Sequence, residues 1–178
     1  MSTAPELALA ERAIAHLDRV LGSLTPADLD RQSPCPDWKV RDVLAHVAGT
    51  ASALADFART GLRELPEEAL PLDDPINNTQ QAIRETRDAL AEQSEHTKSA
   101  AGDVAVEFTT HAWDLDPEID IPEDLAADVR AFVSPLVTDD LRQQFFAPEA
   151  PLATDASAGD RLLAFLGRDP AQIRRREL

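Results

Sequence analysis

The sequence predicts an all-α fold, and three observations predict it. Apolar residues recur at spacings of three and four through successive segments, which places them on one face of a helix. Tyrosine is absent, β-branched residues are sparse, and no stretch reads as a run of strands. Proline, glycine and short capping side chains punctuate the periodic segments where helices start and stop. With 178 residues and 43% apolar content the chain can fill one sizeable core, so a single domain over residues 1–178 is expected.

Thr3, Pro5 and Glu6 form a helix-start signal, and Leu7, Ala10, Ala13, Ile14, Leu17, Val20 and Leu21 trace a first helix that Gly22 ends. Thr25-Pro26 opens a short turn through Leu29. The prolines of Ser33-Pro34-Cys35-Pro36-Asp37-Trp38 keep that stretch extended, and Asp37 is placed to cap the next helix. Val40, Val43, Leu44, Val47, Ala51, Leu54 and Ala58 mark its core face to about Thr60, before Gly61. Leu65-Pro66 through Asp74-Pro75 is proline-rich and acidic, which predicts a surface connection. A polar helix then runs from Pro75 toward Glu95, with Ser99 to Gly102 as a break or soft spot before a helix ending near Leu115. Asp120-Ile121-Pro122-Glu123 starts a further helix with a stripe of Leu125, Val129, Phe132, Val133 and Leu136, which Pro135 ends or kinks. Phe145-Phe146-Ala147-Pro148 leads through a loop to a short helix from Asp160, closed by Gly167.

The formal charge of −16, from 33 acidic and 17 basic residues, repels phosphate backbones and anionic lipid surfaces. The basic cluster Arg174-Arg175-Arg176 is confined to the C-terminal tip, so neither nucleic acid nor membrane is an expected partner. A lone cysteine, Cys35, and the lack of a leader or an apolar span point to a cytoplasmic protein. Phosphate-loop, nucleophile-elbow and paired Cys-x-x-Cys motifs are absent.

Chemistry concentrates in Val104 to Asp114. Glu107 and His111 stand four apart on one helical face that is otherwise apolar, a spacing at which a carboxylate and an imidazole can bridge a divalent metal. Surface pairing or a satisfied polar contact is the plainer reading of such a pair alone. A third ligand must come from another element: His46, at the edge of the strongest apolar stripe, is the best candidate, and His16 in the first helix is its rival. Asp114 could orient a ligand imidazole or simply end the helix, and Arg41, five residues before His46, is a speculative anion contact. His96 reads as solvated, Cys35 as an apolar filler, and Trp38 and Trp113 as anchors.

Three blocks, Ser33 to Gly49, Glu107 to Leu115, and Asp160 to Pro170, resemble the metal-binding domain of mycothiol-dependent maleylpyruvate isomerases, in the same order. They look most like the small single-domain actinobacterial members of that group within the DinB-like superfamily. The resemblance implies an up-down four-helix bundle with short additional helices, and a divalent metal, usually Zn²⁺ with Ni²⁺ or Fe²⁺ as alternatives, on His46, Glu107 and His111. It further implies mycothiol as a co-substrate, a small electrophilic substrate, and transferase or isomerase-like chemistry in a monomer or homodimer. Asp116-Pro117 departs from the Ala-Arg that usually follows the family's Asp-Leu, the segment before Glu107 is shorter than expected, and the isomerases' second domain is not expected here. Two other readings stand beside this one: a non-catalytic bundle whose metal or polar triad is structural, and metal-assisted hydrolysis.

Overall fold

The computed structural model describes residues 5–64 and 71–171, with only the backbone at Phe145. Thr3, the Leu65-Pro66 stretch and Arg174-Arg175-Arg176 lie outside the described residues. Contacts gather the chain into two compact units, Met1–Ile119 and Asp120–Leu178. The described residues are helical, with no strand beyond an isolated bridge between Gln32 and Lys39.

The first unit holds α1 (Pro5–Ser23), a 3-10 turn at Pro26–Asp30, α2 (Val40–Thr60), α3 (Pro75–Ala91) and α4 (Thr97–Leu115). Helix α1 runs one residue past Gly22 because the Ser23 hydroxyl donates to the Val20 carbonyl at 2.7 Å. Of the 19 residues of α4, 14 are buried, so it is the central helix of the bundle. It packs chiefly on α1 and α2.

Side-chain hydrogen bonds give the directions. The Thr79 hydroxyl donates to the Leu44 carbonyl at 3.0 Å, that of Thr86 to Ala51 at 2.9 Å, and that of Ser94 to Ala58. Each donor thus lies 35 or 36 residues beyond its acceptor, so α2 and α3 run parallel. Glu6 and Lys98 pair at 3.3 Å near the starts of α1 and α4, so these two also run parallel. His46 meets Glu107 while Arg63, just past the end of α2, meets Asp103, so α2 and α4 are antiparallel. The four-helix bundle is therefore ordered up-down-down-up.

Several local expectations are corrected. Asp37 does not cap α2: it adopts a left-handed φ of 63° in a turn, and Lys39 occupies the cap, its N–H donating to Asp42 Oδ2 at 2.8 Å. The break between α3 and α4 lies at residues 92–96 rather than at Ser99 to Gly102, because Gln93 takes φ 53° while Ala100, Ala101 and Gly102 are packed flush inside α4. Small residues there permit close helix approach rather than a break. In the second unit α5 (Glu123–Val133) stops ahead of Pro135 and leaves Leu136 exposed, outside the buried stripe of Leu125, Val129 and Val133. A helix not anticipated, α6 (Asp139–Phe145), follows, capped by Thr138, whose hydroxyl accepts from the Leu141 N–H. Helix α7 (Ala158–Phe165) starts two residues before Asp160 because Ser157 caps it, accepting from the Asp160 N–H at 3.0 Å.

Candidate metal centre

The site lies in the first unit, where the antiparallel pair α2 and α4 brings His46 opposite Glu107 and His111. Residues 31–40 form a pinned loop ahead of α2. The Ser33 N–H donates to the Trp38 carbonyl at 3.0 Å, the Gln32 side-chain amide donates to the same carbonyl at 2.7 Å, and the Arg31 guanidinium donates to the Leu115 carbonyl at 2.9 Å. That last bond ties the loop to the end of α4. Trp38, an anchor in the sequence reading, consequently stands over His46 with ring centroids 5.3 Å apart.

Among the described residues, His46, Glu107 and His111 form a group in which each offers one ligand atom and all these atoms lie within 4.8 Å of one another. Glu107 Oε2 is 3.2 Å from His111 Nε2 and 3.8 Å from His46 Nε2, and the imidazoles meet edge to face at 4.6 Å. Behind His111, Asp114 Oδ2 lies 2.8 Å from Nδ1 with no exposed surface of its own. Burial opposes ionisation of Glu107, but the flanking imidazoles of His111 and His46 hold its carboxyl well below the usual carboxylate range. Burial likewise opposes charge on His111, yet Asp114 and Glu107 outweigh it and raise its pKa to about 9. The metal-free site is thus a Glu107 carboxylate beside a His111 imidazolium.

These residues fit a divalent cation. Nitrogen and oxygen ligands bound at about 2.0–2.2 Å around a tetrahedral ion sit roughly 3.3 Å from one another, close to the 3.2 Å between Glu107 and His111 and shorter than the 3.8 Å between Glu107 and His46. Glu107 Oε2 is buried without a hydrogen bond of good geometry, an acceptor that a cation would satisfy. A carboxylate behind a ligand histidine fixes its tautomer, the role Asp114 is placed to fill for His111.

The other sequence candidates are placed elsewhere. His16 is buried in α1, outside this group, with no hydrogen-bond partner for either ring nitrogen. Burial, with Arg19 adding, lowers its pKa. Arg41 is exposed and pairs with Asp30 at 3.0 Å. His96 is not simply solvated: its ring packs on Phe57 at 6.1 Å between centroids. Cys35 is half-buried and Trp113 is core. Sequence reading missed Asp103, although it lies one turn before Glu107 on the same face. It also missed Arg63, whose position no periodicity marks.

Residues 10–116 match the family model of the mycothiol maleylpyruvate isomerase N-terminal domain. The chain belongs to that family. The matched span contains His46, Glu107, His111 and Asp114 and stops three residues before the end of the first unit. Two proteins of Mycobacterium tuberculosis, the uncharacterized proteins Rv0738 and MT0763, are each 28% identical over 181 residues, covering 89% of this chain and 94% of their own. Among solved structures, the crystal structure of the mycothiol-dependent maleylpyruvate isomerase superposes with a TM-score of 0.62 at 22% identity, covering 84% of this chain and 77% of that one. A single-histidine mutant of that enzyme gives 0.60 at 19% with the same coverage. These two establish a shared fold. No helix among the described residues is long and apolar enough to cross a membrane.

Proposed function

We propose that this member of the mycothiol maleylpyruvate isomerase N-terminal domain family is a cytoplasmic, metal-dependent enzyme of thiol chemistry, isomerase-like or S-transferring. In this reading His46, Glu107 and His111 hold a divalent cation, and a low-molecular-weight thiol, mycothiol by family, attacks a small electrophile. One observation carries the reading: two imidazole nitrogens and a carboxylate oxygen that lacks a good hydrogen bond converge from two helices, with a buried carboxylate behind one imidazole. A nitrogen-rich set with one carboxylate suits Zn²⁺, and Ni²⁺ and Fe²⁺ accept the same donors.

A cation bound there would favour thiolate over thiol at neutral pH. The chain's own residues do the rest. Asp114 holds the His111 Nδ1 proton, so that Nε2 would be the nitrogen left to hold the cation. Trp38 flanks His46 with its ring tilted 53° to the imidazole. Glu107 and His46, both only partly buried, mark the side from which small molecules can approach.

Metal analysis of protein purified without added metal tests the reading. Near one equivalent is expected in the wild type, with loss in both His111→Ala and Glu107→Ala. Wild-type protein that carries no metal and takes up no zinc on addition would overturn it.

A further inference from the structure

Within the second unit, α5 and α7 border a cleft of about 230 Å³ lined by Ala127, Arg130, Ala131, Ser134, Ala158 and Arg161. The first four follow one another at spacings that place them on one face of α5 and its C-cap, while Ala158 and Arg161 stand three apart on α7. The cleft shares no residue with the triad.

Neither arginine of this cleft has a counter-ion among the described residues, whereas Arg31, Arg41, Arg59, Arg63 and Arg87 each pair with a carboxylate. In a chain of 33 acidic and 17 basic residues, two uncompensated guanidiniums in one cleft call for a physical reason. Arg130 is half-buried, its Nε is shielded from water without a hydrogen-bond partner, and its guanidinium stands 5.8 Å from the centre of the Phe165 ring. The ring face attracts the cation but leaves its in-plane N–H donors unused. Arg161 is aimed by loop carbonyls, donating from Nε to Ala156 at 3.0 Å and from Nη2 to Thr154 at 3.1 Å. Those two bonds leave three of its five N–H donors for a ligand.

The rest of the lining offers an anion no donor. The Ser134 hydroxyl donates to the Arg130 carbonyl at 2.6 Å, and the Ala158 N–H donates to Glu123 Oε2 at 3.0 Å. Glu123 lies about 10 Å of helix rise from Arg130 and does not pair with it. Recognition therefore falls to two guanidinium forks carried by different helices. Together they match the charge of a dianion and suit the several oxygens of a tetrahedral phosphate better than the two coplanar oxygens of a carboxylate. The alanine methyls add room for a short apolar body. The volume is below the roughly 300–1,000 Å³ of pockets for drug-sized molecules, which keeps that body small.

We propose that Arg130 and Arg161 form a binding site for a phosphate dianion, free or as the monoester of a small molecule. The site stands independently of the metal–thiol reading.

Isothermal titration of the full chain as purified, at low ionic strength, tests it with inorganic phosphate, propyl phosphate and butyrate. Saturable binding of the phosphates is expected, roughly tenfold tighter than butyrate. Propyl phosphate bound several-fold tighter than inorganic phosphate would assign the site to monoesters, and equal affinity would assign it to the free ion. Arg130→Gln and Arg161→Gln should each weaken phosphate binding by roughly tenfold or more, and His111→Ala should leave it unchanged. Thermal melts establish that each variant is folded; if Arg130→Gln is not, Arg161→Gln, whose side chain is exposed, decides alone. No saturable phosphate binding, butyrate bound as tightly as propyl phosphate, or affinity that survives in folded Arg161→Gln would overturn the inference. So would binding lost in His111→Ala, which would place the phosphate at the triad.

Discussion

Asp114 controls the triad from behind. It has no exposed surface, and its distance of 2.8 Å to His111 Nδ1 sets both the tautomer and the charge of that imidazole. Asp114→Asn preserves size but removes the charge, and should weaken zinc affinity by roughly 10- to 100-fold in chelator competition. The same contact gives the metal-free protein a pH signature. His111 titrates at about 9 in the fold against an ordinary 6.5, so its stabilising contribution is complete below pH 6.5 and lost as pH rises through about 9. Glu107 is shifted the other way: its contribution is present above its ordinary value of 4.5 and lost as pH falls. Thermal melts of metal-free protein should therefore decline between pH 7 and 10, and Asp114→Asn should flatten that decline. A wild-type melting temperature that rises over this interval would contradict the His111 assignment.

At the scale of elements, the parallel pairing of α2 and α3 rests on buried hydroxyls. Thr86 shares its proton between Ala82 of its own helix and Ala51 of α2, each at 2.9 Å, and Thr79 does the same with Pro75 and Leu44. Thr86→Val keeps the volume and removes the bond, so it should cost about 1 kcal/mol in denaturant unfolding. Thr79→Val should cost as much and also weaken zinc binding, because Leu44 lies two residues from His46. The core faces of α1, α2 and α4, and the C-terminal ends of all three to within about two residues, are legible in the sequence because 3.6-residue periodicity and terminal Pro and Gly report local preferences directly. The break at residues 92–96 is not legible, because it depends on Ser94 bonding to Ala58 in a different helix and on Gly102 being packed rather than flexible.

For the molecule as a whole, a net charge of −16 is spread over a chain with only 17 basic residues, many of them engaged in pairs such as Arg59 with Glu92 and Arg87 with Asp18. Self-repulsion should lower stability in dilute buffer. Raising NaCl from about 10 mM to about 0.5 M shortens the screening length from roughly 30 Å to under 5 Å and should raise the melting temperature. A fall would mean that the individual ion pairs outweigh the global repulsion.

By itself the sequence determined the all-α class, the presence of an acid and an imidazole on one face of a helix, and the family, since all three follow from spacing and residue type along the chain. Only the tertiary structure decided which histidine joins them. His16 and His46 both sit on apolar helical faces, and the antiparallel placement of α2 against α4 sets His46 at the pair while His16 stays buried in α1. The same packing brought Arg63 back to Asp103, whereas Asp114 stands behind His111 by its spacing of three within α4. The contacts of His46 with Glu107 and of Arg63 with Asp103 join residues separated by a whole helix, and neither periodicity nor local propensity encodes them.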